Sequence, residues 1–168
     1  KEEAGIDVNY LEQLYSFGKP DRDPRNRVIS ISYYGLVRPK DFQISAQTDA
    51  EHVAWFNMLK LPRLAFDHKQ IVEHAVKRLR GKIAYEPVGF ELLDKKFPFS
   101  DLEKLYQALL GHELDRRNFK KKIMAYGFIE ELDENIQRGA GRPARLYQFN
   151  KKKYFELKES GYNFDLFI

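Results

Sequence analysis

The first third of the chain alternates hydrophobic and polar positions with a period of two, a pattern typical of half-buried β-strands. Residues 10–17 form one such segment. Residues 27–37 form the clearest one, with Ile29, Ile31, Tyr33 and Val37 on one face. We predict a third strand at residues 52–56. The first part of the chain is therefore expected to be mostly β-structure.

From residue 67 the period becomes helical. An apolar stripe continues for about four turns at Ile71, Val72, Ala75, Val76, Leu79 and Ile83. Asp67 and Gln70 are spaced as a capping pair at its start. We predict that residues 64–86 form a helix that connects two domains.

The residues that follow predict helix, turn, helix and hairpin. Residues 90–93 are expected to be extended, and Ser100 and Glu103 are spaced as the capping box of a helix that ends at Gly111. A second helix is predicted between Asp115 and Gly127. Strands at residues 128–132 and 146–149 then enclose a polar tip at residues 133–145. This order is that of a winged helix-turn-helix.

The second of these helices carries the most concentrated positive charge in the chain. Phe119, Ile123 and Tyr126 share one face, and five cations lie within seven residues with no acid after Asp115. These cations are Arg116, Arg117, Lys120, Lys121 and Lys122. A charged helix face can simply be solvated, but the predicted hairpin tip adds Arg138, Arg142 and Arg145. Together they predict an interface for a phosphate backbone.

Each cation has an expected role in binding double-stranded DNA. Arg117, Asn118 and Lys121 are predicted to reach base edges, since arginine suits guanine and asparagine suits adenine. Arg116, Lys120, Lys122 and the arginines of the tip are predicted to hold phosphates. RNA is the weaker alternative because residues 133–145 offer no aromatic side chain for base stacking.

Composition narrows the remaining possibilities. The net charge is +4, and the excess of cations lies after residue 66. There is no cysteine, which is compatible with a reducing cytoplasm and excludes thiolate chemistry. No apolar run approaches the ~20 residues that span a bilayer, so no membrane partner is expected. The four histidines, at positions 52, 68, 74 and 112, share no ligand spacing, and no metal or other cofactor is predicted.

Several segments resemble a known family. Glu2, Glu3 and Gly5 look like the tail of the Nudix box, and residues 17–30 resemble the loop-and-strand signature of ADP-ribose-type Nudix domains. Residues 64–68, 116–119 and 141–147 resemble the Nudix-related transcriptional regulators of the NrtR type. The resemblance implies an α+β chain: a Nudix-like mixed-sheet domain at residues 1–63 that lacks its N-terminal part, then a connecting helix, a winged helix at 87–150 and a tail at 151–168.

The same resemblance implies a function. The chain would be a homodimeric bacterial repressor that binds a DNA operator and senses an ADP-ribose-like nucleotide or a pentose sugar. Arg22, Asp23, Arg25 and Arg27 either line the effector pocket or form surface ion pairs; the sequence leaves both open. The alternative is a magnesium-dependent hydrolase of ADP-ribose in which Glu2 and Glu3 bind the metal. The earlier Arg-Glu half of the box is absent from this sequence.

Overall fold

The computed structural model describes residues 10–38, 54–162 and 164–165, in two compact units, 1–78 and 79–168. The predicted α+β class is confirmed. Glu2, Glu3 and residues 52–53 of the predicted third strand lie outside the described residues. No helix in the described ranges is both long and apolar enough to cross a membrane.

In the first unit, strands β1 (Tyr10–Phe17) and β2 (Ser30–Leu36) pair antiparallel, with Gln13 opposite Tyr33. β1 has the predicted bounds, and β2 is shorter than predicted. The third strand is wrong where it can be checked: residues 54–57 have no regular structure and lead into a short 3-10 helix at Met58–Lys60. Among the described residues, β1 and β2 pair only with each other, so this segment has no neighbouring strand to complete its hydrogen bonds.

The predicted connecting helix is α1 (His68–Tyr85). Its first part belongs to the first unit, where the His74 ring lies edge-on to Tyr15 and Phe17 at 6.1 and 5.7 Å. Its last seven residues belong to the second unit, where Ile83 is fully buried. Glu86, just after the helix, holds Lys158 at 2.8 Å and Lys82 at 3.2 Å. The end of α1 is thus built into the second unit.

The second unit contains a three-stranded antiparallel sheet of order β3-β5-β4 and three further helices. Its elements are β3 (Lys96–Pro98), α2 (Phe99–Leu110), α3 (Arg116–Ala125), β4 (Ile129–Ile136), β5 (Ala144–Phe149) and α4 (Lys151–Glu159). Gly111 ends α2 with φ 79°. This is the predicted helix-turn-helix and hairpin, and α4 follows it.

Two predictions at the start of this unit are wrong. Phe90–Leu92 is a 3-10 helix and not extended, because Gly89 turns the chain at φ 95° and brings the Phe90 ring onto Phe149, with centroids 4.1 Å apart. Ser100 does not cap α2, which begins at Phe99 with Pro98 at the cap position, two residues earlier than predicted. Burial of Phe99 in the core fixes this earlier start.

The hairpin strands are also longer than predicted. β4 continues to Ile136, which pairs with Ala144, and only residues 137–143 form the tip. The ladder is irregular between Glu131 and Asn135, which allows polar residues to extend the strand outward. Arg145 therefore lies in β5 and not in the tip.

An aromatic core holds the second unit together. Phe128 is fully buried, with the rings of Phe90, Phe149, Tyr154 and Phe164 at centroid distances between 5.6 and 6.0 Å. Phe164 comes from the apolar end of the chain and packs here on its own unit. The core thus joins the hairpin, α4 and the chain end.

Candidate nucleic-acid interface

Helix α3 is oriented by its caps and its buried face. The Asp115 carboxylate accepts a hydrogen bond from the Asn118 amide at 2.9 Å, and Gly127 turns the chain at φ 74° beyond the end of the helix, as predicted. Phe119 and Ile123 are buried, with the Phe119 ring 5.1 Å from Tyr106. The opposite face of the helix is therefore presented to solvent.

That outward face carries Arg117, Asn118 and Lys121, all exposed. Arg117 and Lys121 have no ion-pair partner within the described part of the chain. Glu113 lies in the turn just before the helix. Like Arg117 and Lys121, Glu113 forms no ion pair with a described residue. Two cations and an amide are thus available to an incoming ligand on a face about 10 Å wide, the diameter of a helix.

Lys120 is placed differently. Its Nζ donates to the Tyr147 hydroxyl at 2.8 Å and lies 5.4 Å from the Phe99 ring centroid. The Tyr147 hydroxyl donates in turn to Glu131 at 3.0 Å. Lys120 is half-buried and joins α3 to β5 and to the start of α2, a tertiary contact that its place in the basic run did not indicate. Lys122 is half-buried as well.

Three of the four arginines that the sequence assigns to DNA phosphates are paired with acids of their own unit. Arg138 Nη1 lies 2.8 Å from both carboxylate oxygens of Asp101, and Arg116 lies 3.5 Å from Glu103. Arg145 binds the carboxylates of Asp133 at 2.7 Å and Glu131 at 3.4 Å. Arg142 is exposed and has no ion-pair partner among the described residues.

The tip of the hairpin is closed by Gln137. Its amide nitrogen donates to the carbonyl oxygens of Gly139 and Gly141, and Gly139 adopts φ 74°. These hydrogen bonds fix the conformation of the turn that carries Arg138 and Arg142. Sequence reasoning missed Gln137; a side-chain amide before a glycine-rich turn is the signal that could have indicated it.

In the first unit, Arg22 is almost buried and is paired with Asp67. Its side chain is only 6% exposed, its Nε and Nη2 each lie 2.9 Å from an oxygen of Asp67, and Nη1 donates to the Ser30 hydroxyl. The hydrogen bonds from Arg22 lower the pKa of Asp67, although burial opposes this. The pair joins the loop after β1 to the start of α1.

The other three predicted effector residues are more accessible. Arg25 binds Asp23 through two nitrogens at 3.0 and 2.8 Å and also lies 5.0 Å from the Phe66 ring centroid. The hydrogen bonds from Arg25 lower the pKa of Asp23 to about 2. Arg27 is exposed. The four predicted residues lie in one loop. Two of its arginines already have an acidic partner, since Arg25 pairs with Asp23 in the loop and Arg22 pairs with Asp67.

Replacing Asp67 with asparagine should lower the unfolding temperature of the protein by several degrees at neutral pH. Because the folded pKa of Asp67 is below its ordinary value, its stabilisation is present above about pH 4 and is lost as the pH falls through the folded pKa. The difference between the two proteins should therefore shrink below pH 4 in thermal unfolding followed by circular dichroism. Asp21→Asn, an exposed neighbour, is the control; an equal loss there would contradict the assignment.

No group of three or more histidine, aspartate or glutamate side chains that could hold a metal lies within residues 10–38, 54–162 and 164–165. The Glu2 and Glu3 pair of the hydrolase alternative is outside these ranges.

The fold and the site define the second unit as a winged helix-turn-helix, which follows a first unit that contains strands β1 and β2. Residues 89–149 match the profile of the NrtR DNA-binding winged helix domain. The chain is also 36% identical over 156 residues to the ADPR responsive transcriptional repressor NtrR of Acinetobacter baylyi, covering 91% of the chain and 61% of that repressor. Residues 89–149 thus form a winged helix domain of the NrtR type that the sequence resembles, and the chain spans about three fifths of the length of the Acinetobacter relative.

Solved structures agree with this assignment. The crystal structure of Shewanella oneidensis NrtR superposes with a TM-score of 0.72 at 26% identity, covering 96% of this chain and 71% of that one. NrtR in complex with a 27mer DNA gives 0.69 at 24% identity. A shorter match, 35% identical over 81 residues, is to an ADP-ribose pyrophosphatase of Methanocaldococcus jannaschii, covering 48% of the chain and 47% of that enzyme.

Proposed function

We propose that this protein is a DNA-binding transcriptional repressor of the bacterial cytoplasm, in which α3 enters the major groove of double-stranded DNA. The exposed face of α3, with two cations unneutralised by any described residue, is the observation that carries the proposal. Arg117 and Asn118 have the donor and acceptor geometry for guanine and adenine edges, and Lys121 follows one turn later. The hairpin tip contacts the backbone through Arg142.

The protein acts as a homodimer in this proposal. Two copies of α3 then occupy successive major grooves, which requires half-sites about one helical turn, or a multiple of it, apart. A related protein supports DNA as the partner, since Shewanella oneidensis NrtR has been crystallised with a 27mer DNA.

The first unit is proposed to bind the effector, an ADP-ribose-like nucleotide or a pentose sugar. The ADPR-responsive name of the Acinetobacter relative favours the nucleotide. Arg27 and Arg25 are the residues we assign to a diphosphate, because both are exposed, whereas Arg22 is almost buried between Asp67 and Ser30. The effector changes DNA affinity only by as much as it prefers one dimer geometry over the other.

The decisive test is binding of a labelled genomic DNA library to the full-length protein across a salt series, with and without ADP-ribose. We expect selective, salt-sensitive binding that ADP-ribose weakens, since each phosphate contact contributes a slope of roughly 0.9 in log affinity against log salt. Sequence-selective binding that no ADP-ribose or pentose alters would retain the repressor and refute the effector. Absence of selective binding at every salt concentration would refute the repressor.

A second candidate function is magnesium-dependent hydrolysis of ADP-ribose, with the winged helix serving dimerisation only. The match to a pyrophosphatase over about half of the chain favours it. In this case magnesium would be the only cofactor, and incubation of the full-length protein with ADP-ribose and magnesium would release AMP and ribose phosphate. A regulator without activity leaves ADP-ribose intact in the same assay.

A further inference from the structure

Three arginines, one at the start of the proposed DNA-binding helix and two in the hairpin that follows it, are held by carboxylates of their own unit. Asp101 binds Arg138 through both of its oxygens at 2.8 Å. Glu103, two residues further along α2, lies 3.5 Å from Arg116, and Asp133 lies 2.7 Å from Arg145. Two elements, α2 and β4, thus supply carboxylates to three arginines that the sequence assigned to DNA phosphates.

The pairs are positioned to be exchanged. The arginine side chains remain 52%, 65% and 42% exposed, so a phosphate can approach each of them from solvent. Asp101 and Glu103 are the less exposed partners, at 25% and 13%. A carboxylate and a phosphate present the same oxygen geometry to a guanidinium group, and the two compete for one arginine.

This exchange reduces what each arginine adds to DNA binding. A phosphate that binds Arg138 displaces Asp101, so the gain is the difference between two ion pairs. The released carboxylate also keeps its negative charge close to the DNA. By contrast, Arg117 and Lys121 have no such competitor among the described residues, and their full attraction is available.

We propose that Asp101, Glu103 and Asp133 are internal competitors for DNA phosphates, which restrain sequence-independent binding and leave selection to the outward face of α3. The inference rests on the proposed DNA-binding function. It assigns a role to acids that otherwise have a purely structural explanation. Negative charge in the first turn of α2 also stabilises that helix, and the test must separate the two effects.

The test compares full-length variants binding a random-sequence DNA duplex across a salt series. Asp101→Asn frees Arg138 and should bind about twofold to fivefold tighter, the equivalent of one exposed ion pair. The slope of log affinity against log salt should become steeper by about 0.9, since one more phosphate is neutralised. Combined with Arg138→Gln, the same change should give neither effect. Glu103→Gln, with and without Arg116→Gln, repeats the cycle at a second pair.

Glu113→Gln is the matched control, because it removes the same charge beside α3 from a residue with no described ion-pair partner. An equal gain from this control, or a gain from Asp101→Asn that persists without Arg138, would show a general charge effect and overturn the proposal. A lower unfolding temperature with unchanged DNA binding in both cycles would assign the acids to helix stability alone. If the wild-type protein fails to bind duplex DNA at low salt, the proposed function itself is refuted.

Discussion

Replacing Arg117 with alanine is expected to weaken binding to the selected DNA site by about tenfold and to relax the base preference at one position of each half-site. Arg117 is exposed on the outward face of α3, and no acid of the described chain competes for it. A bidentate contact between arginine and a base contributes roughly 1–3 kcal/mol of discrimination. Affinity and preference should therefore fall together, as measured by selection from a DNA library followed by titration.

Lys77→Ala provides the control for charge, since Lys77 is an exposed cation on α1 outside the winged helix. It should leave base preference unchanged. If Arg117→Ala lowers affinity equally for all sequences, Arg117 binds a phosphate. If it changes neither affinity nor preference, α3 does not enter the groove.

Replacing Phe128 with alanine is expected to destabilise the second unit by about 3–5 kcal/mol, the usual loss for a large aromatic side chain in a core. Phe128 is fully buried and touches rings from the segment before β3, from β5, from α4 and from the chain end. The cavity would be lined by elements that cannot all move inward. Urea unfolding followed by near-ultraviolet circular dichroism measures the change.

Phe155→Ala is the matched control for this prediction. Phe155 is the same residue type in α4, but it is 53% exposed and should lose less than about 1 kcal/mol. DNA binding by Phe128→Ala should fall only as far as the unfolded fraction rises, because Phe128 is buried and is not part of the outward face of α3. Equal destabilisation by the two variants would show that the ring cluster is not the core that supports α3.

The candidate site was predictable to the extent that it is local. Asp115 and Gly127 mark the two ends of α3 in the sequence, and the spacing of Phe119 and Ile123 fixes which face of the helix is buried. These features depend on the geometry of a single helix. The order of helix, helix and hairpin was also predictable, since apolar spacing and turn residues lie along the chain.

The pairing of the cations was not predictable. Nothing in the sequence near Lys120 indicates Tyr147, which is 27 positions away, and nothing near Arg138 indicates Asp101, 37 positions away. The effector loop has the same character, since Arg22 finds Asp67 across 45 positions. Charge runs in a sequence show how much charge is present but not which part of it is neutralised.

Strand β2 shows the same division. The alternation around it places Ile29, Ile31 and Tyr33 on one face, and these side chains are more than half exposed, while Tyr34 and Leu36 on the other face are partly covered. The sequence by itself determined the elements, the helix caps and the basic surface of α3, because short-range periodicity and charge encode them. Only the tertiary structure decided which strand face is covered and which cations are paired, because those outcomes depend on contacts between segments that are distant in the chain.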